Sequence, residues 1–192
     1  MVTKMNQIFG SYVKLSKLRV IELLLVTTVP SMIIAIYGMP PINLVLSTLA
    51  GGTLLAISAN VMNQVFEVGR DSLMDRTSNR PLVKGELNKK NAIFYSIFCG
   101  ITGFFILYVF TTHLAALIAL LANLFYTFVY TLFLKPRTNQ NIVIGGASGA
   151  APVLIGWTAT GSPLEIGAWV LFLLVFTWTP AHFWALAIEN KS

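Results

Sequence analysis

Cysteine is nearly absent: Cys99 is the only one in 192 residues, and it lies within an apolar run. That excludes a disulfide framework or a Cys-based metal site within one chain. Histidine is scarce too, with His113 and His182 alone. Charge is the third shortage, since 13 basic and 7 acidic side chains make up only 10% of the residues. Apolar residues fill the gap at 56%, spread along the whole length. With a mean hydropathy of +0.75, a soluble domain of this size could not hide so much apolar surface, so lipid must be the solvent for much of it. The net charge of +6 is then explained by membrane topology rather than nucleic acid, which is not an expected partner. No internal repeat, low-complexity tract or soluble domain stands out.

A helix crossing a ~30 Å hydrocarbon layer needs about 20 mainly apolar residues. Six segments qualify, at about 20–38, 43–62, 92–110, 114–134, 142–160 and 166–188. They are too long and too evenly apolar for barrel strands, so the expected fold class is all-α, a multi-pass transmembrane helical bundle. The polar lead before Val20 is long and no small-x-small cleavage signal follows, so Val20 to Tyr37 is expected to be a retained first span, not a signal peptide. Lys4, Lys14, Lys17 and Arg19 precede span one. Arg70, Arg76, Arg80, Lys84, Lys89 and Lys90 lie between spans two and three, Lys135 and Arg137 between four and five, and Lys191 after six. All 13 fall on one side of such a bundle, which predicts a cytoplasmic N-terminus and a cytoplasmic charged loop in a cell membrane. The run GGASGAAP (Gly145 to Pro152) places Gly145 and Gly149 at the spacing that suits close helix packing.

Eight of the 20 charged residues crowd into the stretch from Asn60 to Glu86. Asn63, Glu67 and Asp71 recur every fourth residue, which on an α-helix keeps them on one face, with Asn60 a turn earlier. Asp75 continues the spacing, either drifted round or already in the loop. Two carboxylates a turn apart repel one another on a bare helix. Oxygen ligands so disposed suit Mg²⁺, which takes one or two carboxylates and completes its shell with water and phosphate oxygens. Arg70, Arg76, Arg80 and Lys84 stand nearby as phosphate partners. The plain alternative is a juxtamembrane loop whose charges neutralise one another and meet lipid headgroups. Asparagines inside an apolar span are not explained that way, because polar groups at that depth mark function or interhelix bonds. Glu22, three residues after Arg19, either pairs with it or faces the same cavity.

The stretch NQVFEVGRDSLMDRTSNRPLVKG (Asn63 to Gly85) resembles the first acidic motif of UbiA-type intramembrane prenyltransferases. Within that family it is most similar to the heme-farnesylating branch. The resemblance continues through KLRVIELLLVTTVPSM (Lys17 to Met32), YTLFLKPRTNQNIVIGGASGAAPVLIGW (Tyr130 to Trp157) and TWTPAHFWALAI (Thr177 to Ile188). It implies transfer of the farnesyl group of farnesyl diphosphate to a vinyl group of heme b, giving heme O. Mg²⁺ is the implied cofactor and heme b a substrate. Asn63, Glu67 and Asp71 would be the Mg²⁺–diphosphate residues, with Asp75 as a further metal candidate and Asn60 in support. Arg70, Arg76, Arg80, Lys84, Lys135 and Arg137 would bind diphosphate. His182 matches the family's histidine and would serve the heme, as an iron ligand or as a partner of its reacting or propionate groups. Trp178 and Trp184 read as packing or interfacial aromatics, and His113 is assigned no role.

The family pattern normally has nine spans, with a second acidic motif, Asp-Tyr-x-x-Ala-Gly-[Ile/Val]-Pro, soon after the histidine helix. Neither that motif nor spans seven to nine occur in these residues. The chain is therefore expected to be the N-terminal two-thirds of one prenyltransferase domain, with farnesyl transfer requiring the remaining segment. Membrane lipid, heme A synthase or that C-terminal segment complete the implied partners. Two other readings stay open. One is a UbiA-type transferase acting on a quinone-precursor ring or a chlorophyll-like acceptor. The other is a non-catalytic membrane fragment or assembly partner.

Overall fold

Backbone groups in lipid must be satisfied within their own segment, and the computed structural model, which describes residues 2–189, meets that demand with helices alone. A juxtamembrane helix α1 (Val2–Ser16) leads into α2 (Leu18–Ile36), α3 (Ile42–Asp71) and α4 (Lys89–Phe110). Next come α5 (His113–Leu124), a π-helical segment (Phe125–Leu134) and the short α6 (Lys135–Arg137), running on as one rod. Helices α7 (Asn141–Ala159) and α8 (Ile166–Glu189) complete the bundle. Among the described residues, six helical stretches are long and apolar enough to cross a membrane, as many as predicted. Lys191, assigned from sequence to the basic side, lies outside the described residues.

The bounds differ most at α3. The apolar pattern predicts an end near residue 62, but the helix runs to Asp71. Its 30 residues at 1.5 Å each make a rod of about 45 Å, longer than the hydrocarbon layer. The charged face is therefore built on rigid helix, not loop. Asp75 lies beyond the helix end.

Helix α3 packs along α4, and α7 packs against α2, α5 and α8. Close approach of α3 and α4 occurs where Gly51 faces Gly103: a Cβ on Gly103 would meet the Gly51 carbonyl oxygen at 2.7 Å. The Gly145–Gly149 pair behaves otherwise. Gly145 lies under the Tyr130 ring, while Gly149 faces open space. Interhelix hydrogen bonds tie the rods together, including Ser31 Oγ to the Val153 carbonyl at 2.9 Å and Asn123 Nδ2 to the Leu55 carbonyl at 2.7 Å. Such bonds hold membrane helices where hydrophobic burial gives little preference for protein over lipid. Below the charged end, Leu15, Ile21, Val61, Val65, Leu82, Leu87 and Ala92 form one apolar cluster, pinning the loop after α3 to α1, α2 and α4.

Candidate active site

Turning 100° per residue, α3 places Asn60, Asn63, Gln64, Glu67 and Asp71 within an arc of about 100°. All five are buried, Glu67 and Asp71 at 4% exposure each and Asn63 at 2%. Buried carboxylates require partners, and two cations from separate elements supply them. The π segment ends at Leu134, and Lys135 Nζ donates to Glu67 Oε2 at 2.7 Å. From the loop, Arg80 Nη1 makes an ion pair with Asp71 Oδ2.

Local chemistry fixes both partners. Thr77 is buried and donates its hydroxyl to the Asp71 carbonyl at 2.9 Å, folding the loop back over the end of α3. Successive turns follow, with Arg80 N–H donating to Thr77, and Leu82 plugs into the apolar cluster beneath. Arg80 is thereby held over Asp71. On the facing rod, Thr131 donates to the Tyr126 carbonyl five residues back and accepts from Asn63 Nδ2 at 3.0 Å. The wider π turn keeps Thr127 and Thr131 buried on one side. Single π bulges inside α-helices are often found at functional sites. Tyr126 and Tyr130, stacked with ring centroids 5.1 Å apart, lie within the field of Glu67 and form an aromatic wall.

The structure thus brings together Asn63, Glu67, Asp71, Arg80 and Lys135. Asn60 turns to α1, donating to the Ser16 carbonyl at 3.3 Å. Arg70, Asp75, Arg76 and Lys84 are exposed, and no ion pair among the described residues engages them. Arg137 caps the carbonyls of Leu132 and Phe133 and lies over the Phe133 ring. His182 is exposed on α8 and stacks on Trp178 at 4.6 Å. Glu22 is exposed, and no ion pair among the described residues joins it to Arg19. His113 stacks on Tyr108 at 4.3 Å.

Participants that the sequence did not mark are Gln64, Thr77, Tyr126, Tyr130, Thr131 and Lys17. Half-buried at the α1–α2 turn, Lys17 feels the charges of Arg80, Lys135, Glu67 and Asp71. Burial pushes its ammonium down to about 8, Arg80 and Lys135 push the same way, and the two acids oppose them.

Among the described residues, no group of three His, Cys, Asp or Glu could cage a metal by itself. The chemistry of the donor set nevertheless fits a divalent ion. Lys135 Nζ stands 2.5 Å from Glu67 Oε1 and 2.7 Å from Oε2, so both oxygens of Glu67 face a cation. Two buried carboxylates and an amide on one helix face, each acid already facing positive charge, suit Mg²⁺ sharing its shell with phosphate.

A membrane helix bundle carrying this acid–amide face belongs to a definite class: the chain matches the UbiA prenyltransferase family over residues 24–192 and is a member of it. Among curated relatives, protoheme IX farnesyltransferase 1 of Saccharopolyspora erythraea is 50% identical over 189 residues, covering 98% of this chain and 61% of that protein. The protoheme IX farnesyltransferase of Clavibacter sepedonicus is 50% identical over 181 residues, covering 94% and 59%. That of Mycolicibacterium smegmatis is 45% identical over 183, covering 95% and 59%. The chain therefore spans about three fifths of the length of these relatives. The solved structure of a UbiA homolog from Archaeoglobus fulgidus bound to DMAPP and Mg2+ superposes with a TM-score of 0.69 at 21% identity, covering 88% of this chain and 61% of that one. At that identity the likeness speaks for the fold.

Proposed function

We propose that this chain forms the diphosphate-binding part of a protoheme IX farnesyltransferase, with residues 1–192 a single domain matching the first two thirds of the family fold. The observation that carries the reading is the pairing of Glu67 with Lys135 and Asp71 with Arg80 at the polar end of an apolar bundle. Two acids and two cations neutralise one another there. A magnesium–diphosphate group brings both charge types at once, so each pair can exchange partners without stranding a buried charge. Lys135 and Arg80 then turn to phosphate oxygens, with exposed Arg70, Arg76, Lys84 and Arg137 close enough in sequence to join them. Asn63, Glu67 and Asp71 hold the metal side, and Asp75 marks its outer edge.

Bound Mg²⁺ would supply the charge neutralisation that makes diphosphate a good leaving group. The chain's own residues do the rest. Arg80 and Lys135 stabilise negative charge as the allylic C–O bond breaks and its electron pair leaves with diphosphate. Tyr126 and Tyr130 flank the developing allylic cation with ring faces and keep bulk water away. A heme vinyl carbon forms the new C–C bond, water oxygen adds to the neighbouring carbon, and a proton is released, giving heme O. His182 as a heme contact and heme A synthase as a recipient rest on the family resemblance. The one-sided distribution of basic residues supports a cytoplasmic site and N-terminus.

A direct test fuses the chain to the remaining two fifths of the S. erythraea relative and extracts heme from expressing membranes. Heme O is expected with wild type and is lost with Glu67→Gln. A prenylated aromatic ring instead of heme O would establish the quinone-precursor reading, and failure to release diphosphate with Mg²⁺ would leave a non-catalytic partner.

A further inference from the structure

We infer that Lys17, at the turn between α1 and α2, is a third cationic ligand for the diphosphate, brought to the acid face by a left-handed backbone and by two amides of α3. The inference rests on the prenyltransferase reading and adds a residue to its site. Three observations carry it.

Lys17 has φ 52° and ψ 50°. Among the described non-glycine residues only it and Tyr37 have positive φ. Tyr37 has an ordinary reason, for it closes the end of α2, with its own N–H and that of Gly38 folding back onto Ile34 and Ile33. Lys17 breaks what would otherwise be one continuous helix from Val2 to Ile36. A lysine in this conformation costs about 1 kcal/mol or more relative to glycine, and the sequence keeps it.

The turn is also gripped from below. Gln64 Nε2 donates to the Leu15 carbonyl at 2.6 Å, and Asn60 Nδ2 donates to the Ser16 carbonyl at 3.3 Å. Two buried amides of α3 thus take the last carbonyls of α1, immediately before Lys17. They share their arc of α3 with Glu67 and Asp71, one and two turns further along. Asn60 and Gln64 therefore set the place from which the Lys17 side chain leaves the backbone.

Finally, the charge balance is lopsided. Glu67 and Asp71 already have Lys135 and Arg80, yet Lys17 is half-buried within the field of all four. A cation in excess of its acids, held among cations that repel it, is a poor stabilising device. It is suited to an anion that arrives with more negative charge than Mg²⁺ removes, as diphosphate does. Burial first, then Arg80 and Lys135, lower its proton affinity, while Glu67 and Asp71 oppose them.

The test measures binding of inorganic diphosphate, with and without Mg²⁺, to the purified full chain in nanodiscs by calorimetry. Two variants are compared with wild type. Lys17→Gly suits the positive φ and so keeps the turn while deleting the charge; Lys17→Arg keeps the charge. Loss of one charge-assisted contact should weaken binding by Lys17→Gly about tenfold or more, with Lys17→Arg within a few-fold of wild type. A thermal midpoint for Lys17→Gly at or above wild type would accompany this. If wild type and Lys17→Gly bind diphosphate equally, the role given to Lys17 is wrong and the prenyltransferase reading stands. If wild type shows no Mg²⁺-dependent binding, that reading falls and the role of Lys17 falls with it.

Discussion

Lys135 stands between the two oxygens of Glu67, 2.5 Å from Oε1 and 2.7 Å from Oε2. At the scale of single residues, the shape and the charge of Glu67 separate on mutation. Glu67→Gln and Asp71→Asn keep the side-chain shape but remove the charge that the proposed Mg²⁺ role requires. Each should lower Mg²⁺-dependent diphosphate release about 10²-fold or more, a typical loss for one electrostatic contact in a reacting site. Steady-state release in the fused protein measures it, and near-normal rates would remove the two acids from the chemistry. Lys17 gives a pH signature of its own. Its pKa falls from 10.5 in the unfolded chain to about 8 in the folded one. Below pH 8 both states carry the proton, and no slope arises. Between pH 8 and 10.5 the unfolded chain holds more protons, so rising pH favours folding. The thermal midpoint in detergent should therefore climb from pH 8 to 10 more steeply in wild type than in Lys17→Met. Identical slopes would mean that the Lys17 ammonium is not penalised in the folded chain.

At the scale of elements, what the sequence announces and what it conceals have different physical origins. Six apolar runs are legible because lipid demands length and evenness of every spanning helix alike. The acid face is legible because Asn63, Glu67 and Asp71 repeat at helical spacing among apolar neighbours. The π segment is not legible: FYTFVYTLFL is apolar and aromatic apart from Thr127 and Thr131, whose spacing of four reads as ordinary α-helix and marks no wider turn. Nor could sequence choose Arg80 over Arg76, since that choice depends on Thr77 folding the loop onto the Asp71 carbonyl. Lys17 was hidden in plain view, because a lysine before a span is already accounted for by topology. Glycines show the same limit. The small-residue spacing of Gly145 and Gly149 is visible in sequence, but the close contact belongs to Gly51 and Gly103. A Cβ on Gly103 would meet the Gly51 carbonyl oxygen at 2.7 Å and the Leu55 nitrogen at 2.9 Å, both backbone atoms. Gly103→Ala should therefore destabilise the bundle by about 1–3 kcal/mol, while Gly149→Ala, with nothing within 4 Å, should be near neutral. Paired thermal or denaturant unfolding in one detergent decides it, and equal stability would show that α3 and α4 part without cost.

At the scale of the whole molecule, orientation follows from how charge is distributed over the two ends of the bundle. Lys17 before span one, Arg80 after span two and Lys135 after span four converge on one acid pair. Three connections from separate parts of the chain thus meet at one end of the bundle, as the alternation of six spans requires. The opposite end, with the connections around Gly38, Thr112 and Ser162, carries no lysine or arginine. Positive connections stay in the cytoplasm, so the charged end, with its acid pair, should face inward. Single cysteines test the assignment in a Cys99→Ser background. Ser78→Cys marks the charged loop and Glu165→Cys the opposite end. In intact cells a membrane-impermeant maleimide should label Glu165→Cys and spare Ser78→Cys, and in inverted vesicles the pattern should exchange. The reverse result would turn the molecule over and put the acid pair on the outer side of the membrane.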